Sequence, residues 1–422
     1  MNGSRQQSSL FRIILVGLIG NVMEWYDFAV YGYFATVIGR LFFPTSDPTV
    51  SLVASFGAFA AGFLVRPLGG IIFGRIGDLV GRQRAMLLSV VAMAVPTVLM
   101  GFLPTYDSVG ILAPVLIVAL RIVQGVSVGG EFTSSLIFLV EQAPAHRRAF
   151  SAVWGAWGAS AGILLGSGVG LLVTISLDEP QLVSWGWRVP FVLGGVVAVV
   201  GMWVRSHIHA EPPAAKSKSP VRDVLTQYRG PVLRVALLNL GYGVAFYTMF
   251  IYAVSYMKNV DHLPEGAALR LNTLAMVALL FVMPLSALLA DRHGRRIMLG
   301  GGFLALAASS VPLFHLLHSG DEMLILVAEI LFAVIIGVVA GSIPVTNVEL
   351  VPSAVRCTGL ALAYNAAVGI FGGVTPMLVT WLIEVTENPI APAYWLLAAC
   401  LVSAVTVIFL VHETRHQPLH DE

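Results

Sequence analysis

Apolar residues in this chain come in runs of about 18 to 28, each closed by charges, prolines or turn residues. A helix rising about 1.5 Å per residue crosses a hydrocarbon core roughly 30 Å thick with about 20 of them. Twelve runs can be marked, at 11–36, 52–74, 85–103, 111–139, 149–176, 189–205, 232–257, 268–290, 297–317, 323–346, 357–384 and 391–412. They predict an all-α polytopic membrane protein with twelve transmembrane helices. The first run carries two acids, is too long for a signal-peptide core and lacks a small-x-small cleavage site. It is therefore expected to stay as the first span. The longest polar interruption runs from Arg205 to Gly230 and holds Glu211-Pro212-Pro213, Lys216, Lys218 and Pro220. It divides the chain into an N-terminal six-helix half (1–205), a cytoplasmic linker (206–230) and a C-terminal six-helix half (231–422).

Composition agrees: 57% of the 422 residues are hydrophobic and 11% charged, where soluble domains carry roughly a quarter charged. A net charge of +1 gives no reason to expect a nucleic-acid partner. Cys357 and Cys400 lie in or beside apolar runs, so neither a disulfide framework, a metal cluster nor a cofactor is indicated. Placing the N-terminus in the cytoplasm puts 18 of the 24 Lys and Arg residues on the cytoplasmic side. Four fall opposite (Arg40, Arg188, Lys258, Arg270), and Arg66 and Arg121 fall within spans. That bias predicts both termini inside.

The chain also repeats itself. Asp78-x-x-Gly81-Arg82 recurs as Asp291-x-x-Gly294-Arg295, an offset of 213, and Glu141-x-x-Pro144-x-x-x-Arg148 recurs as Glu349-x-x-Pro352-x-x-x-Arg356, an offset of 208. Both are close to half the length. Two related halves with a path between them near the bilayer midplane are the expected reading.

The chemistry is concentrated where polar groups interrupt the spans. Glu24 and Asp27 sit three residues apart near the middle of the first run and share a helical face that Tyr31 extends by a turn. Ionised carboxylates facing lipid cost several kcal/mol, so this stripe should face other helices or a water-filled path. Arg121 lies about ten residues, roughly 15 Å, from the outer end of the fourth run, at a depth comparable to the two acids. A buried arginine beside carboxylates suits a coupled proton site, since parting the pair favours proton uptake. Gln124 and Glu131 lie within about 80° of Arg121 on the helix and extend its polar stripe.

Arg66 has the fixed fork that suits a substrate carboxylate; snorkelling inward or pairing with Glu131 are the other readings. In the seventh run Asn239, Tyr242, Phe246, Tyr247, Tyr252 and Tyr256 make an aromatic and polar helix. Such rings can cage a quaternary ammonium, bond a carboxylate, or simply pack, the last being preferred for Tyr252 and Tyr256. Asn365, after Tyr364, is the second half's candidate pocket residue. Gly158, Gly162, Gly166 and Gly170 form a small-residue ladder for helix packing. Glu329 is a further intramembrane acid, either structural or a second proton site.

The loop Gly74-Arg75-Ile76-Gly77-Asp78-Leu79-Val80-Gly81-Arg82-Gln83-Arg84 resembles the signature loop of the major facilitator superfamily, with a weaker copy from Asp291 to Arg296. The resemblance implies a conformational latch, so Asp78, Arg82, Arg148, Asp291, Arg295 and Arg356 are the expected gating residues. Glu24-Trp25-Tyr26-Asp27-Phe28, Arg66-Pro67-Leu68-Gly69-Gly70, Arg121-Ile122-Val123-Gln124-Gly125, Gly129-Gly130-Glu131, Trp185-Gly186-Trp187-Arg188-Val189-Pro190-Phe191, Tyr364-Asn365 and Gly372-Gly373 are similar to the metabolite:proton symporter family.

That likeness implies a transporter, not an enzyme, in the inner (plasma) membrane, importing a small molecule with protons by alternating access. Asp27, Glu24, Arg121 and Glu131 would couple the proton. Tyr31, Arg66, Gln124, Tyr242, Tyr247 and Asn365 would line the substrate site. A small organic acid is the expected substrate, and proline or glycine betaine the alternative. Against the alternative, no heptad-repeat coiled coil of the kind some osmosensing relatives carry is present up to Glu422. A single chain supplies both halves, so a functional monomer is expected.

Overall fold

The computed structural model describes residues 18, 21–69, 72, 82–129, 131–206, 220–415 and 417–419. Twelve long helices account for most of them. We number them α1 (21–42, with a one-residue turn at Phe34), α2 (Pro48–Gly69), α3 (Arg82–Met100), α4 (Leu112–Glu141), α5 (Arg148–Ser176) and α6 (Arg188–Ser206). The second set is α7 (Arg229–Asn259), α8 (Glu265–His293), α9 (Arg295–Leu317), α10 (Glu322–Leu350), α11 (Ser353–Thr386) and α12 (Ala391–Phe409).

Among the described residues nine of these are long and apolar enough to cross a membrane, and α6 joins them when counted with the bent segment Glu179–Gly186 before it. The element ends differ from the hydropathy runs for local reasons. Asp47 caps α2 by accepting from the Thr49 N–H, with Pro48 in the first turn, so α2 begins four residues before its apolar run. A further short helix, Pro220–Thr226, occupies part of the expected linker.

Large apolar side chains such as Phe102, Leu172, Ile175, Phe281 and Phe409 are exposed, while Glu24, Asp27, Arg66, Arg121 and Glu329 are buried. This inside-out distribution is the one hydrocarbon solvent demands. The first six helices meet the last six along α2 against α11 and α5 against α8. Close approach depends on glycine at the α2–α4 crossing, where a Cβ on Gly125 would stand 1.8 Å from the Gly62 carbonyl oxygen. The ladder on α5 does the same against α1: a Cβ on Gly162 would lie 2.3 Å from the Val22 carbonyl oxygen.

Three stretches wind as π-helix: Leu182–Gly186, Thr248–Tyr252 in α7 and Asn365–Gly372 in α11. A π turn inserts a residue and re-aims the side chains after it, and such turns gather at functional sites.

Candidate functional site

Two ion pairs sit side by side at the centre of the first six helices. The Arg121 guanidinium of α4 donates to Asp27 Oδ2 of α1 at 3.0 Å and to Gln124 Oε1 at 3.0 Å. The Gln124 amide donates to the same Asp27 oxygen at 2.9 Å and to Thr97 Oγ1 of α3 at 2.8 Å. The chain of bonds ends at the Met93 carbonyl. The Tyr31 ring lies against the guanidinium, 3.9 Å from ring centre to Cζ, and its hydroxyl donates to the Ser55 carbonyl. Tyr31 thus supports Arg121 by a cation–π contact.

One turn away, Arg66 of α2 donates to Glu24 at 2.8 Å and is sandwiched near Phe63 and Phe28. Glu24 is a partner that the sequence did not assign to Arg66, while the side chain of Glu131 lies outside the described residues. Asp27 Oδ1 and Arg121 Nη2 have no bonding partner among the described residues, so the Asp27–Arg121 pair is only half engaged.

The cavity beside these pairs is lined by Trp25 of α1, Phe132 of α4, Ser160 of α5, Tyr242 and Phe246 of α7 and Tyr364 of α11. Its aromatic walls touch: Phe132 stacks on Tyr364 at 4.8 Å, and Trp25 meets Phe246 and Phe132 edge-on at 6.0 and 6.2 Å. The space left admits about one water molecule. Tyr242 faces this cavity; Tyr247 packs below it against Phe59, Phe63 and Trp25. Asn365 opens the π segment of α11 and donates to the Gly129 carbonyl across the two halves at 2.8 Å. Asp78, Gly74, Arg75 and Gly81 lie outside the described residues, as do the side chains of Glu131 and Arg82.

The site is closed on both faces. On the arginine-rich face Asp291 of α8 caps α5, accepting from the Ala149 and Phe150 N–H groups at 3.0 Å each. Arg356 of α11 donates to Glu141 of α4 at 2.6 Å. Glu349 receives both arms of Arg295 and stands 3.8 Å from Arg148. The tail after α12 joins in: Thr414 donates to Glu349, and Arg148 donates to the Gln417 carbonyl. Glu413 takes the Arg295 and Arg296 N–H groups at the start of α9. Burial pushes the Glu413 carboxyl up, but those N–H donors, that of Arg415 and the Arg295 charge outweigh it and hold the group below the usual carboxylate range.

On the opposite face Tyr33 of α1 donates to the Phe250 carbonyl at 2.7 Å, Asn272 of α8 donates to Tyr33 at 3.0 Å, and Ser167 of α5 meets Thr273 at 2.7 Å.

The structure brings Asp27, Arg121 and Gln124 within bonding distance of one another and pairs Arg356 with Glu141 and Arg295 with Glu349. Sequence reasoning missed Phe132, which no motif marks, and Thr97, an ordinary residue in an apolar run. Glu141 and Glu349 were recoverable, since each opens one copy of the repeated motif.

Twelve helices in two halves enclose a polar centre that is closed by paired charges on one face and by neutral hydrogen bonds on the other, the architecture of a membrane carrier. A family model described as the Major Facilitator Superfamily matches residues 13–376, and the chain belongs to that superfamily: it is a multi-pass membrane transporter, not an enzyme. Its sequence is 35% identical to a proline/betaine transporter of Escherichia coli (strain K12), covering 97% of this chain and 85% of that one. It is 34% identical to the shikimate transporter of the same organism, over 98% of this chain and 97% of the other. A D-xylose-proton symporter crystal structure shares the fold, with a TM-score of 0.78 at 20% identity, over 97% of this chain and 99% of that one.

Proposed function

We propose that this chain is a proton-coupled symporter of a small zwitterion of the proline and glycine betaine kind. The observation that carries the reading is the cavity wall of Trp25, Phe132, Tyr242, Phe246 and Tyr364 beside the Glu24–Arg66 pair. Aromatic faces attract a quaternary ammonium that cannot hydrogen-bond, and the guanidinium next to them suits the carboxylate of the same molecule. The relative named above as a proline/betaine transporter favours it over the small organic acid, such as a di- or tricarboxylate, that the motifs alone suggested.

Asp27 carries the proton. While it is ionised, Arg121 and Gln124 are held against it; once protonated it no longer competes for the guanidinium, and the first six helices are free to rearrange. Glu24, Glu131 and Arg66 share that balance of charge, while Tyr31, Tyr247 and Asn365 hold the walls in place. The halves, 1–205 and 231–422, rock about the site with 206–230 linking them in the cytoplasm. The arginine-rich face is then the cytoplasmic one, as the positive-inside bias requires, and one chain suffices for transport. The 34% identity to a shikimate transporter supports a second reading, a hydroxylated organic acid bound through Arg66.

Thermal stabilisation of the purified protein separates these readings, because a ligand that binds the folded state raises its apparent stability. Glycine betaine and proline are expected to raise the Tm, and vesicles holding the protein should accumulate them only under an inward proton gradient. Stabilisation by shikimate or a dicarboxylate, with none by betaine or proline, would overturn the zwitterion reading in favour of the acid.

A further inference from the structure

Glu329 is the intramembrane acid for which the mechanism above has no use. It lies seven residues, roughly 10 Å along the axis, from the start of α10 at Glu322, on the face opposite the arginine-rich one. It is fully buried, and neither carboxylate oxygen has a hydrogen-bond partner among the described residues. Glu24 and Asp27, by contrast, are paired, with Arg66 and Arg121. Among the described residues no charged group acts on Glu329.

The titratable group in its electrostatic range is the Tyr33 phenol of α1. The polar groups around that phenol are neutral: Asn272 and Thr273 of α8, and Ser167 of α5. Asn272 Oδ1 is likewise buried and unpartnered. The charge of Glu329 would therefore be felt at the contacts that join the two halves on this face, where Tyr33 meets Asn272 and the Phe250 carbonyl. An ionised carboxylate there would be an uncompensated charge in a dry interior. A purely structural acid in such a place would be expected to hold a partner.

We propose that Glu329 is a second proton-binding site, separate from the Asp27–Arg121 pair. It holds its proton while this face is closed and loses it to water when the helices at Tyr33 and Asn272 part. The inference rests on the proton coupling proposed above and adds a second titrating carboxyl to it.

The test is the reversal potential of substrate flux in proteoliposomes, which counts protons moved per substrate. With Glu329→Gln, substrate exchange is expected to persist while that count falls by one relative to the native protein. An unchanged count would overturn the proposal. If the native protein moves no protons with substrate, the underlying coupling fails; if it does and Glu329→Gln matches it, only this inference fails. Should Glu329→Gln not insert, Glu329→Asp keeps a titratable group one methylene shorter. A displaced pH profile of uptake would then support the site, and the native profile would overturn it.

Discussion

At Asp27 a single charge decides whether Arg121 is held. Replacing it by Asn keeps the shape and removes the charge, leaving a guanidinium buried without its counter-ion. Breaking one side of a buried pair costs about 3–5 kcal/mol, so Asp27→Asn is expected to lower the Tm, and removing both charges in Asp27→Asn with Arg121→Gln to recover much of it. Uphill, proton-driven uptake is expected to be lost in both, with exchange of substrate down its gradient retained in the single variant. Undiminished accumulation by Asp27→Asn in a flux assay would remove Asp27 from the proton path. The grouping of Arg121 with Glu24 and Asp27 was readable from depth, because all three residues fall near mid-membrane in runs of known rise. The partner of Arg66 was not. Which of several acids at similar depth a guanidinium meets depends on helix rotation and crossing, and spacing along one chain leaves these open. The aromatic wall was half readable: Tyr242 and Phe246 stood out in the seventh run and Trp25 fell within a family motif without a role, while Phe132 looked like any other apolar residue.

Among the elements, α2 and α4 meet through backbone. A methyl group on Gly125 would fall inside contact distance of the Gly62 carbonyl, which has no flexible side chain to yield. Gly125→Ala should therefore force the helices apart and destabilise by about 1–3 kcal/mol, the usual cost of overpacking. Gly168 on α5 has nothing within 4 Å of its added Cβ, and Gly168→Ala should be neutral or slightly stabilising through helix propensity. Tm values of the two variants in the same detergent check the contrast; equal values would mean the α2–α4 crossing can relax at no cost. Because Gly125 flanks Arg121 by one turn, lost transport in Gly125→Ala should accompany lost stability. Helix existence and order followed from hydropathy, since bilayer thickness sets the run length. The π segments at Thr248–Tyr252 and Asn365–Gly372 left no such trace: one inserted residue alters the hydrogen-bond ladder without altering composition.

For the whole molecule, the two faces of the site are closed unequally. The face at Tyr33 is held by neutral hydrogen bonds, whereas the arginine-rich face is held by Asp291 on the α5 N-terminus and by Arg356 on Glu141. A carboxylate at a helix N-terminus gains from the exposed N–H groups and the helix dipole, and charge-assisted bonds are roughly twice as strong as neutral ones. Weakening them should favour the state open on that side. Asp291→Asn keeps one acceptor oxygen but loses the charge, and combined with Glu141→Gln it removes the charge from both links. With Cys357 and Cys400 replaced and a single cysteine introduced by Val368→Cys at the cavity wall, a membrane-impermeant thiol reagent applied to the arginine-rich face should label the double variant several-fold faster than the otherwise native protein. Saturating substrate should slow that labelling if it binds in the cavity. Equal labelling rates would show that these links do not set the balance and that the remaining contacts of Arg148 with Glu349 and the Gln417 carbonyl close the face on their own. The offset of 213 showed that the loop is repeated, and its resemblance to the superfamily's signature loop implied a latch in each copy; the Asp291 copy caps a helix of the opposite half, so its loss should be felt across the interface between the halves.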